Sequence, residues 1–437
     1  MFDYYDVIVA GGGISGFFAA LSASRAGASV LLVEVSDSLG GVVVEGPLEA
    51  FMTFHDENGS ITSKLIDEFI KRLVDIGGSV GYVPDTVGYC KSIVPYDREM
   101  VKYLIYLMLR ESGVHLLLNS LVFGANTDDK RIVSIKIVNK KGIVRYKAKA
   151  FVDATGDGDL AYHAGAQMMV GRESDGKVQP MTMLFRVSGV NIDLLTKYVI
   201  EHIEDFKLDK NLITSDNVKN LHIWGFGKLL RKGFKSGKLS LERSELQAML
   251  SIRKGDLIIN YTRYVGNPLD PEIITEAQVV TLYQAHELIQ YLKQELPSFS
   301  NAYISYTGKL GIRESRRIIG KYILKLDDVI HPKPFNDTVA RGAFPIDIHQ
   351  PDGNSLEYRS VTRAYNIPAS CLSSEDFSNL FMCGRCISAT HEALASTRIT
   401  ATAMATGQAA GVLSAFSALH GKMEISEVLK NMTFKSA

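Results

Sequence analysis

The first 34 residues carry the hydrophobic pattern of a strand, a tight turn, a helix and a second strand. Residues 5–10 form an apolar run of strand length, and the sequence GGGISG follows at residues 11–16. A segment of small residues then leads to a second apolar run at residues 29–33, which ends at Glu34. This order predicts a βαβ unit with two parallel strands.

Farther along the chain, the period of the apolar positions changes from that of helices to that of strands. The spacing predicts helices at residues 62–76 and 98–111. Alternating apolar and polar residues then predict strands at residues 114–119, 132–138 and 143–151. We expect these three strands to form a small antiparallel meander.

Apolar strands that end in glycine turns recur later in the sequence. The run at residues 151–153 leads into Gly156, and the run at residues 379–384 ends at Gly384. Because ligands bind at the carboxyl ends of parallel strands, we expect the turns after residues 10 and 153 to line one crevice.

The remaining elements suggest how the chain divides into domains. Strands are predicted at residues 182–187 and 257–261, and a helix at residues 276–296, in a region of mixed pattern and higher charge. We interpret residues 166–334 as an inserted substrate domain. Residues 1–165 and 335–437 would then form one discontinuous domain.

The last predicted helix covers residues 396–419 and follows a predicted strand at residues 343–348. Its small residues recur at helical spacing and predict close packing on a sheet or a neighbouring helix. This small-residue face contains Ala403, Gly407, Ala410 and Gly411.

Composition narrows the classes of function. The chain has 437 residues, with 48 Lys and Arg against 48 Asp and Glu, so no global charge would attract nucleic acid or an anionic membrane. The sequence contains no apolar run long enough to span a bilayer, and the first strand begins too near Met1 for a leader, so we expect a cytoplasmic protein. Four cysteines are too few for a disulfide framework, and the ten histidines show no paired metal-ligand spacing.

The glycine turn at residues 11–16 predicts a dinucleotide site. Gly11 permits the tight turn, Gly13 leaves room for a pyrophosphate, and Gly16 lets the helix pack close to the strand. Glu34 lies where a carboxylate can bind both hydroxyls of an unphosphorylated ribose. These residues alone leave NAD and FAD both open.

Three further motifs carry a resemblance to a known family. They are VDATGDGD at residues 152–159, GIRESRRIIG at residues 311–320 and GRCISATHEA at residues 384–393. Together with residues 11–16, this chain resembles the FAD-dependent oxidoreductases of the glutathione-reductase-like flavoproteins. The resemblance implies an α/β fold, in which a glutathione-reductase-like FAD-binding Rossmann domain carries an inserted α+β substrate domain.

The resemblance also implies FAD rather than NAD as the cofactor, and it assigns cofactor-binding positions to this sequence. They are Gly11, Gly13, Ile14, Ser15, Gly16, Glu34, Val35, Gly40, Gly41, Ala154, Thr155, Gly156, Asp157, Gly384, Arg385, Ser396 and Thr397. No second glycine motif with a ribose acid follows in the middle of the chain, so we expect no built-in NAD(P)H domain.

Four residues are candidates for catalysis. If the N-terminus of the last helix at Ser396 and Thr397 points at the flavin, as the resemblance implies, its positive end would stabilise an anionic flavin, with Arg398 adding charge. Alternatively, Arg398 is solvated or pairs with a carboxylate. Arg313 and Arg316 could bind an acidic substrate through their guanidinium forks, or they could belong to a salt-bridge network between domains.

His391 is the fourth candidate, because it could take a proton from a substrate hydroxyl or amine. The alternative is a buried histidine that serves only packing. His55 raises the less favoured idea of covalent flavin attachment. Cys383 and Cys386 form a CxxC sequence that could be a redox pair, although the adjacent glycine is needed by the turn.

We therefore expect an FAD-dependent oxidoreductase that transfers a hydride between a small polar organic substrate and flavin N5. The bond involved would be C–OH, C–N or C=C, and a separate electron acceptor or oxygen would complete the cycle. A flavin monooxygenase or hydroxylase, a non-catalytic flavin-binding protein and an NAD-dependent dehydrogenase are the alternatives. The sequence does not determine the substrate, the acceptor or the oligomeric state.

Overall fold

A computed structural model describes residues 4–209, 222–353 and 356–421. The helices are α1 (Ile14–Arg25), α2 (Val42–Glu45), α3 (Lys64–Asp75), α4 (Arg98–Glu111), α5 (Asp159–Ala164), α6 (Ile192–Glu201), α7 (Gly227–Lys235), α8 (Pro271–Glu295), α9 (Leu326–Ile330), α10 (His391–Thr397) and α11 (Thr400–His420). The strands of the first half are β1 (Tyr4–Ala10), β2 (Val30–Val33), β3 (Ala50–Met52), β4 (His55–Asp56), β5 (Gly59–Ser60), β6 (Val83–Pro84), β7 (Ser92–Pro95), β8 (His115–Leu117), β9 (Leu121–Asp128), β10 (Arg131–Asn139) and β11 (Gly142–Asp153). The later strands are β12 (Met168–Val170), β13 (Phe185–Ser188), β14 (His222–Gly225), β15 (Leu246–Leu250), β16 (Leu257–Asn260), β17 (Tyr303–Thr307), β18 (Arg316–Ile318), β19 (Thr338–Gly342), β20 (Ile346–His349), β21 (Leu356–Arg359), β22 (Tyr365–Pro368) and β23 (Leu380–Met382).

The largest sheet has the strand order β8-β2-β1-β11-β10-β9, and β23 also pairs with β11. Strands β8, β2, β1, β11 and β23 are parallel to one another. In register, Ala10 lies opposite both Val33 and Asp153, and Asp153 lies opposite Met382. The carboxyl ends of these strands therefore meet at one edge, which confirms the predicted convergence of the glycine turns.

The predicted meander was assigned one wrong strand. Residues 114–119 were expected in it, but β8 pairs in parallel with β2 at the edge of the sheet. The meander instead consists of β9, β10 and β11, and β10 pairs antiparallel with both of the other strands. The pattern missed β9 because the apolar residues of its sequence LVFGANTD are grouped at the start and do not alternate with polar ones.

Helices α1 and α11 pack almost backbone to backbone on the parallel sheet. A methyl group added to Gly407 would overlap the Ser15 carbonyl, and one added to Gly411 would overlap the Ala19 carbonyl. The Ser22 hydroxyl also lies 3.0 Å from the Gln408 carbonyl oxygen, to which it donates. The predicted small-residue face of the last helix is thus confirmed as a helix contact surface.

A second, five-stranded sheet has the order β14-β15-β16-β13-β17, and all of its neighbouring strands are antiparallel. Helix α8 packs against it and closes a separate hydrophobic core that includes Phe185, Ile259 and Leu288. Helix α8 begins at Pro271 after the Asp270 cap, five residues earlier than the predicted start at residue 276.

The boundary predicted for the last helix is wrong. The chain forms α10 up to Thr397, breaks at Arg398 and Ile399, and starts α11 at Thr400. Apolar and small residues continue across the break, so periodicity alone could not locate it. No helix among the described residues is both long and apolar enough to cross a membrane.

The contact between α1 and α11 predicts an unusual effect of Gly411→Ala. In an exposed helix this change stabilises by about 1 kcal/mol, because alanine has the higher helix propensity. Here the added methyl group meets the Ala19 carbonyl, so we expect the free energy of unfolding to fall by about 1–3 kcal/mol. Urea denaturation measures it. Ser417→Ala on the half-buried side of the same helix should change stability by less than about 0.5 kcal/mol, and a stabilised Gly411→Ala protein would contradict the contact.

Candidate functional site

The turn after β1 has the geometry of an anion-binding loop. Gly11 has φ 99°, and a side chain there would overlap the Ala154 carbonyl. A methyl group at Gly16 would overlap the Gly11 carbonyl, so only glycine lets α1 start this close to the strand. Gly13, in contrast, has no neighbouring atom where a side chain would point. Ile14 and Ser15 begin α1, whose free N–H groups face this open space.

The Glu34 carboxylate is held at the rim of this turn. It accepts hydrogen bonds from the Gly12 N–H at 2.5 Å and from the Ser36 N–H at 2.8 Å. The neighbouring Val35 side chain is 56% exposed, although valine is usually buried. A fixed carboxylate fits the ribose, which is the role predicted for Glu34 from the sequence, and the exposed Val35 side chain fits an apolar part of the cofactor.

A second loop covers the turn from the other side. The Gly40 N–H donates to the Gly12 carbonyl at 2.8 Å, and a side chain at Gly41 would meet the Gly13 Cα at 3.1 Å. Gly40 and Gly41 therefore pack directly against Gly12 and Gly13.

The turns after β11 and β23 lie close to the turn after β1. Gly384 has φ 73°, and a methyl group there would lie 2.6 Å from the Ser15 hydroxyl. Arg385 forms an ion pair with Asp157 at 2.9 Å and lies directly over Gly156. The turns after β1, β11 and β23 are thus brought into contact.

Residues 153–155 determine the shape of the turn after β11. Asp153 is fully buried, and its carboxylate accepts from the Thr155 N–H and hydroxyl at 3.0 and 2.8 Å. Burial raises the pKa of Asp153 to about 6. Because the Thr155 side chain is bonded inward, Ala154 and Thr155 present mainly their backbone to a ligand.

The Arg316 side chain contacts the turn after β11. It donates to the Asp157 carbonyl at 2.8 Å, forms an ion pair with Asp159 and stacks over the Tyr162 ring. These contacts are those of the structural network that was the alternative to substrate binding. A catalytic role for Arg316 stays a prediction.

His391 belongs to a buried polar triad. Its Nδ1 lies 2.7 Å from the Glu314 carboxylate, which also forms an ion pair with Arg317. His391 is 5% exposed and Glu314 is fully buried. The Nε2 of His391 has no hydrogen-bond partner among the described residues. A carboxylate that fixes one imidazole nitrogen and leaves the other free is the arrangement of an oriented general base.

Arg313 and Arg398 lie next to this triad. Arg313 donates to the Pro180 carbonyl at 2.6 Å and to the Thr182 hydroxyl at 2.8 Å. Arg398 forms an ion pair with Asp347 at 3.1 Å, which confirms a carboxylate partner for it. Burial and the charge of Arg398 lower the pKa of Arg313 to about 9.

The sequence analysis missed Asp347 and His349. They are 8% and 7% exposed, and the His349 Nε2 lies 3.4 Å from the Asp347 carboxylate. Burial and the charge of Arg313 lower the pKa of His349 well below its ordinary value. The available signal was two titratable residues at alternate positions of a strand that otherwise reads as core.

Ser396 and Thr397 do not begin the last helix. The positive end of the helix dipole therefore lies at Thr400 instead. The Ser396 hydroxyl is committed to the Phe344 carbonyl at 2.5 Å and to the Tyr365 hydroxyl at 2.8 Å. The Thr397 hydroxyl is buried and has no hydrogen-bond partner among the described residues. Roles for both residues in cofactor binding stay predictions.

The minor candidates show no feature that advances them. The Nδ1 of His55 lies 2.8 Å from the Ser92 hydroxyl, and nothing tests covalent flavin attachment at this residue. Burial raises the pKa of Cys383 to about 12 and that of Cys386 well above its ordinary value, which opposes a reactive thiolate. No group of three potential metal ligands occurs among the described residues.

Comparison with known proteins identifies the family. The sequence profile of the FAD dependent oxidoreductase family matches residues 6–432. A digeranylgeranylglycerophospholipid reductase from Methanococcoides burtonii is 28% identical over 217 residues, which cover 45% of this chain and 48% of that protein. The match thus spans about half the length of this curated relative.

Two solved structures share the fold. A geranylgeranyl bacteriochlorophyll reductase-like protein from Thermoplasma acidophilum aligns with a TM-score of 0.51 at 11% identity, covering 98% of this chain and 82% of that one. The p-nitrophenol 4-monooxygenase of Pseudomonas putida aligns with a TM-score of 0.53 at 13% identity, covering 99% and 84%. At such low identity these alignments show only the architecture, which is that of a Rossmann-type flavoprotein.

The family profile covers nearly the whole chain. The chain therefore belongs to the FAD-dependent oxidoreductase family, whose cofactor is FAD.

Proposed function

We propose that the protein transfers a hydride between a small polar organic substrate and N5 of its FAD. A separate electron acceptor or oxygen then completes the cycle. The observation that carries the proposal is the position of His391, which is oriented by Glu314 and follows directly on the Gly384 turn. This position puts a candidate proton acceptor near the edge of the sheet at which we propose that the cofactor binds.

We also propose that the fold is of the glutathione-reductase-like subtype. Residues 1–165 and 335–437 form its FAD-binding domain, and residues 166–334 form the substrate domain. The separate core of the antiparallel sheet supports this division.

The residues of the three turns fit FAD. The open space at Gly13 and the free N–H groups of α1 suit a pyrophosphate, and Glu34 suits the adenosine ribose. The start of α11 at Thr400 supplies a positive helix end for the flavin. When bound, FAD supplies an acceptor for a hydride, which carries two electrons and a proton.

His391 acts on the proton that accompanies the hydride. In the oxidation of a C–OH group, the carbon loses a hydride while the oxygen loses its proton to His391 Nε2, and a C=O group results. Glu314 fixes the ring through Nδ1, and Arg317 holds Glu314 in place. Reduction of a C=C bond would use the same residues in the opposite direction.

The second sheet supports direct contact between substrate and flavin. A dinucleotide-binding unit needs parallel strands joined by a helix, whereas this sheet is antiparallel throughout its described residues. We therefore propose that the reductant in the first half-reaction is the organic substrate and not a nicotinamide bound in a domain of its own.

Anaerobic mixing of the purified holoprotein with alcohols, amines and acids tests this function. A substrate should bleach the flavin absorbance without added NAD(P)H, and air should restore it. Bleaching that requires NAD(P)H, together with incorporation of oxygen into the product, would instead establish the monooxygenase alternative. A flavin that no reductant bleaches would leave only the non-catalytic alternative.

Glu34→Ala should weaken FAD binding about tenfold or more, because the carboxylate that accepts the ribose hydroxyls is lost. The measurement is the FAD content after dialysis and the dissociation constant on reconstitution. Asp37→Ala is the matched control, since that residue is exposed in the following loop. Equal FAD retention in the two variants would exclude Glu34 from the ribose site.

His391→Gln should slow flavin reduction by substrate about 10²- to 10⁴-fold, the usual contribution of a general base. FAD content should stay normal, because the histidine contacts Glu314 rather than the glycine turns. Anaerobic stopped-flow absorbance gives the rate. The matched control is His286→Gln on the exposed face of α8, and equal rates in both variants would leave His391 as a packing residue.

A further inference from the structure

We infer that the substrate is an organic acid whose carboxylate binds between four arginines, Arg243, Arg263, Arg313 and Arg398. We call these four residues the arginine cluster. The inference rests on the proposed function, because it names the class of substrate that the same site would accept.

Within the part of the chain that the structure describes, Arg263 and Arg313 are bonded only to neutral groups. Arg263 is 4% exposed; its guanidinium donates to the Thr182 hydroxyl and the Thr262 carbonyl and lies 2.9 Å from His349 Nδ1. Arg313 donates to the same Thr182 hydroxyl and to the Pro180 carbonyl. Because both arginines share Thr182, their charges lie close together without a carboxylate between them.

Arg243 has no partner at all among the described residues. Its Nε is buried and makes no hydrogen bond. Glu242, the preceding residue, is exposed, and Glu245 forms an ion pair with Lys207 at 2.8 Å. Arg98, Arg186 and Arg317 also bury an unbonded Nε, but each of them forms an ion pair through another nitrogen, whereas Arg243 forms none with a described residue.

Among the described residues, Asp347 is the only carboxylate bonded to a member of the cluster. It pairs with Arg398 at 3.1 Å and lies 3.4 Å from His349. Four guanidiniums therefore share one carboxylate, and Arg263 is buried while the other three arginines are half-buried. Burial and the charges of Arg313 and Arg243 lower the pKa of Arg263 well below its ordinary value, and burial also lowers that of Arg243. An excess of buried positive charge is unfavourable unless an anion is bound.

The available nitrogens suit a carboxylate. Arg243, Arg263 and Arg398 each have a buried Nε without a hydrogen bond. Guanidinium forks bind planar carboxylates through two parallel hydrogen bonds. The cluster thus offers several unused donors, which a neutral substrate could not satisfy equally well.

An apolar wall lies beside the cluster. The Tyr89 ring packs edge to face against Trp224 and Phe344, with ring centroids 5.2 and 5.3 Å apart. Ile399, which follows Arg398 and precedes α11, packs against the same aromatic group. A small organic acid could place its carboxylate on the arginines and its carbon skeleton on this wall, next to the positive end of α11.

Titration of the FAD-loaded protein with acids tests the inference through the flavin absorbance spectrum. The probes are acetate, malonate, succinate and benzoate, and the neutral comparisons are malonamide, succinamide and benzamide, with inorganic phosphate as a non-carboxylate anion. At least one acid should perturb the spectrum saturably, while its amide and phosphate should bind at least tenfold more weakly. Equal binding of phosphate or of the amide would overturn the carboxylate assignment.

Arg243→Gln should weaken binding of that acid at least tenfold and leave FAD content unchanged. Without the acid, its thermal midpoint should stay equal to or rise above that of the parent protein, because one unpaired buried charge is removed. Arg231→Gln, an exposed arginine of α7, is the matched control and should change neither quantity. A lowered midpoint with unchanged acid affinity would make Arg243 a structural residue and overturn its role.

Failure of this inference can be distinguished from failure of the proposed function. If uncharged alcohols or amines bleach the flavin but no acid binds, the hydride transfer stands and the carboxylate class is wrong. If acids bind through Arg243 but the flavin is reduced only by NAD(P)H with oxygen incorporation, the carboxylate class stands and the hydride transfer is wrong.

Discussion

Close backbone contact around the turn after β1 determines the position of the other parts of the site. Gly16 lets α1 begin against the Gly11 carbonyl, and Gly407 and Gly411 let α11 lie against α1. Because α11 is fixed in this way, its first turn and the preceding residue Arg398 are placed at the same edge of the sheet as the glycine turns. A side chain at any of these glycines would separate elements that must touch to form the cofactor site.

The second determinant is the buried charge at this edge. Glu314 satisfies Arg317 and orients His391, so one carboxylate serves both structure and chemistry. The arginine cluster lies beside it and is linked through Gln179, whose N–H bonds Glu314 and whose side-chain oxygen accepts from the His349 N–H. His391, the proposed proton acceptor, and the proposed anion site therefore belong to one hydrogen-bonded network. A substitution in one of them should change the properties of the other.

Much of this arrangement could be predicted from the sequence, because a glycine turn at the end of an apolar strand specifies its own backbone geometry. The turns at Gly11 and Gly156 were assigned to one crevice on that basis, Gly384 was assigned to the cofactor through the family resemblance, and the structure brings all three together. The break at Arg398 was missed because apolar residues continue through it. Arg243 and Arg263 were missed for a different reason, since they lie far from the motifs in sequence and only tertiary burial reveals them.

We propose that the substrate delivers a hydride directly to the bound flavin while His391 accepts the proton. A kinetic isotope measurement compares the anaerobic rate of flavin reduction by a substrate and by the same substrate deuterated at the reacting carbon. We expect slower reduction by the deuterated substrate, with one reduced flavin formed per oxidised product. Equal rates, measured where bond cleavage limits reduction, or no reduction without NAD(P)H and oxygen, would contradict it.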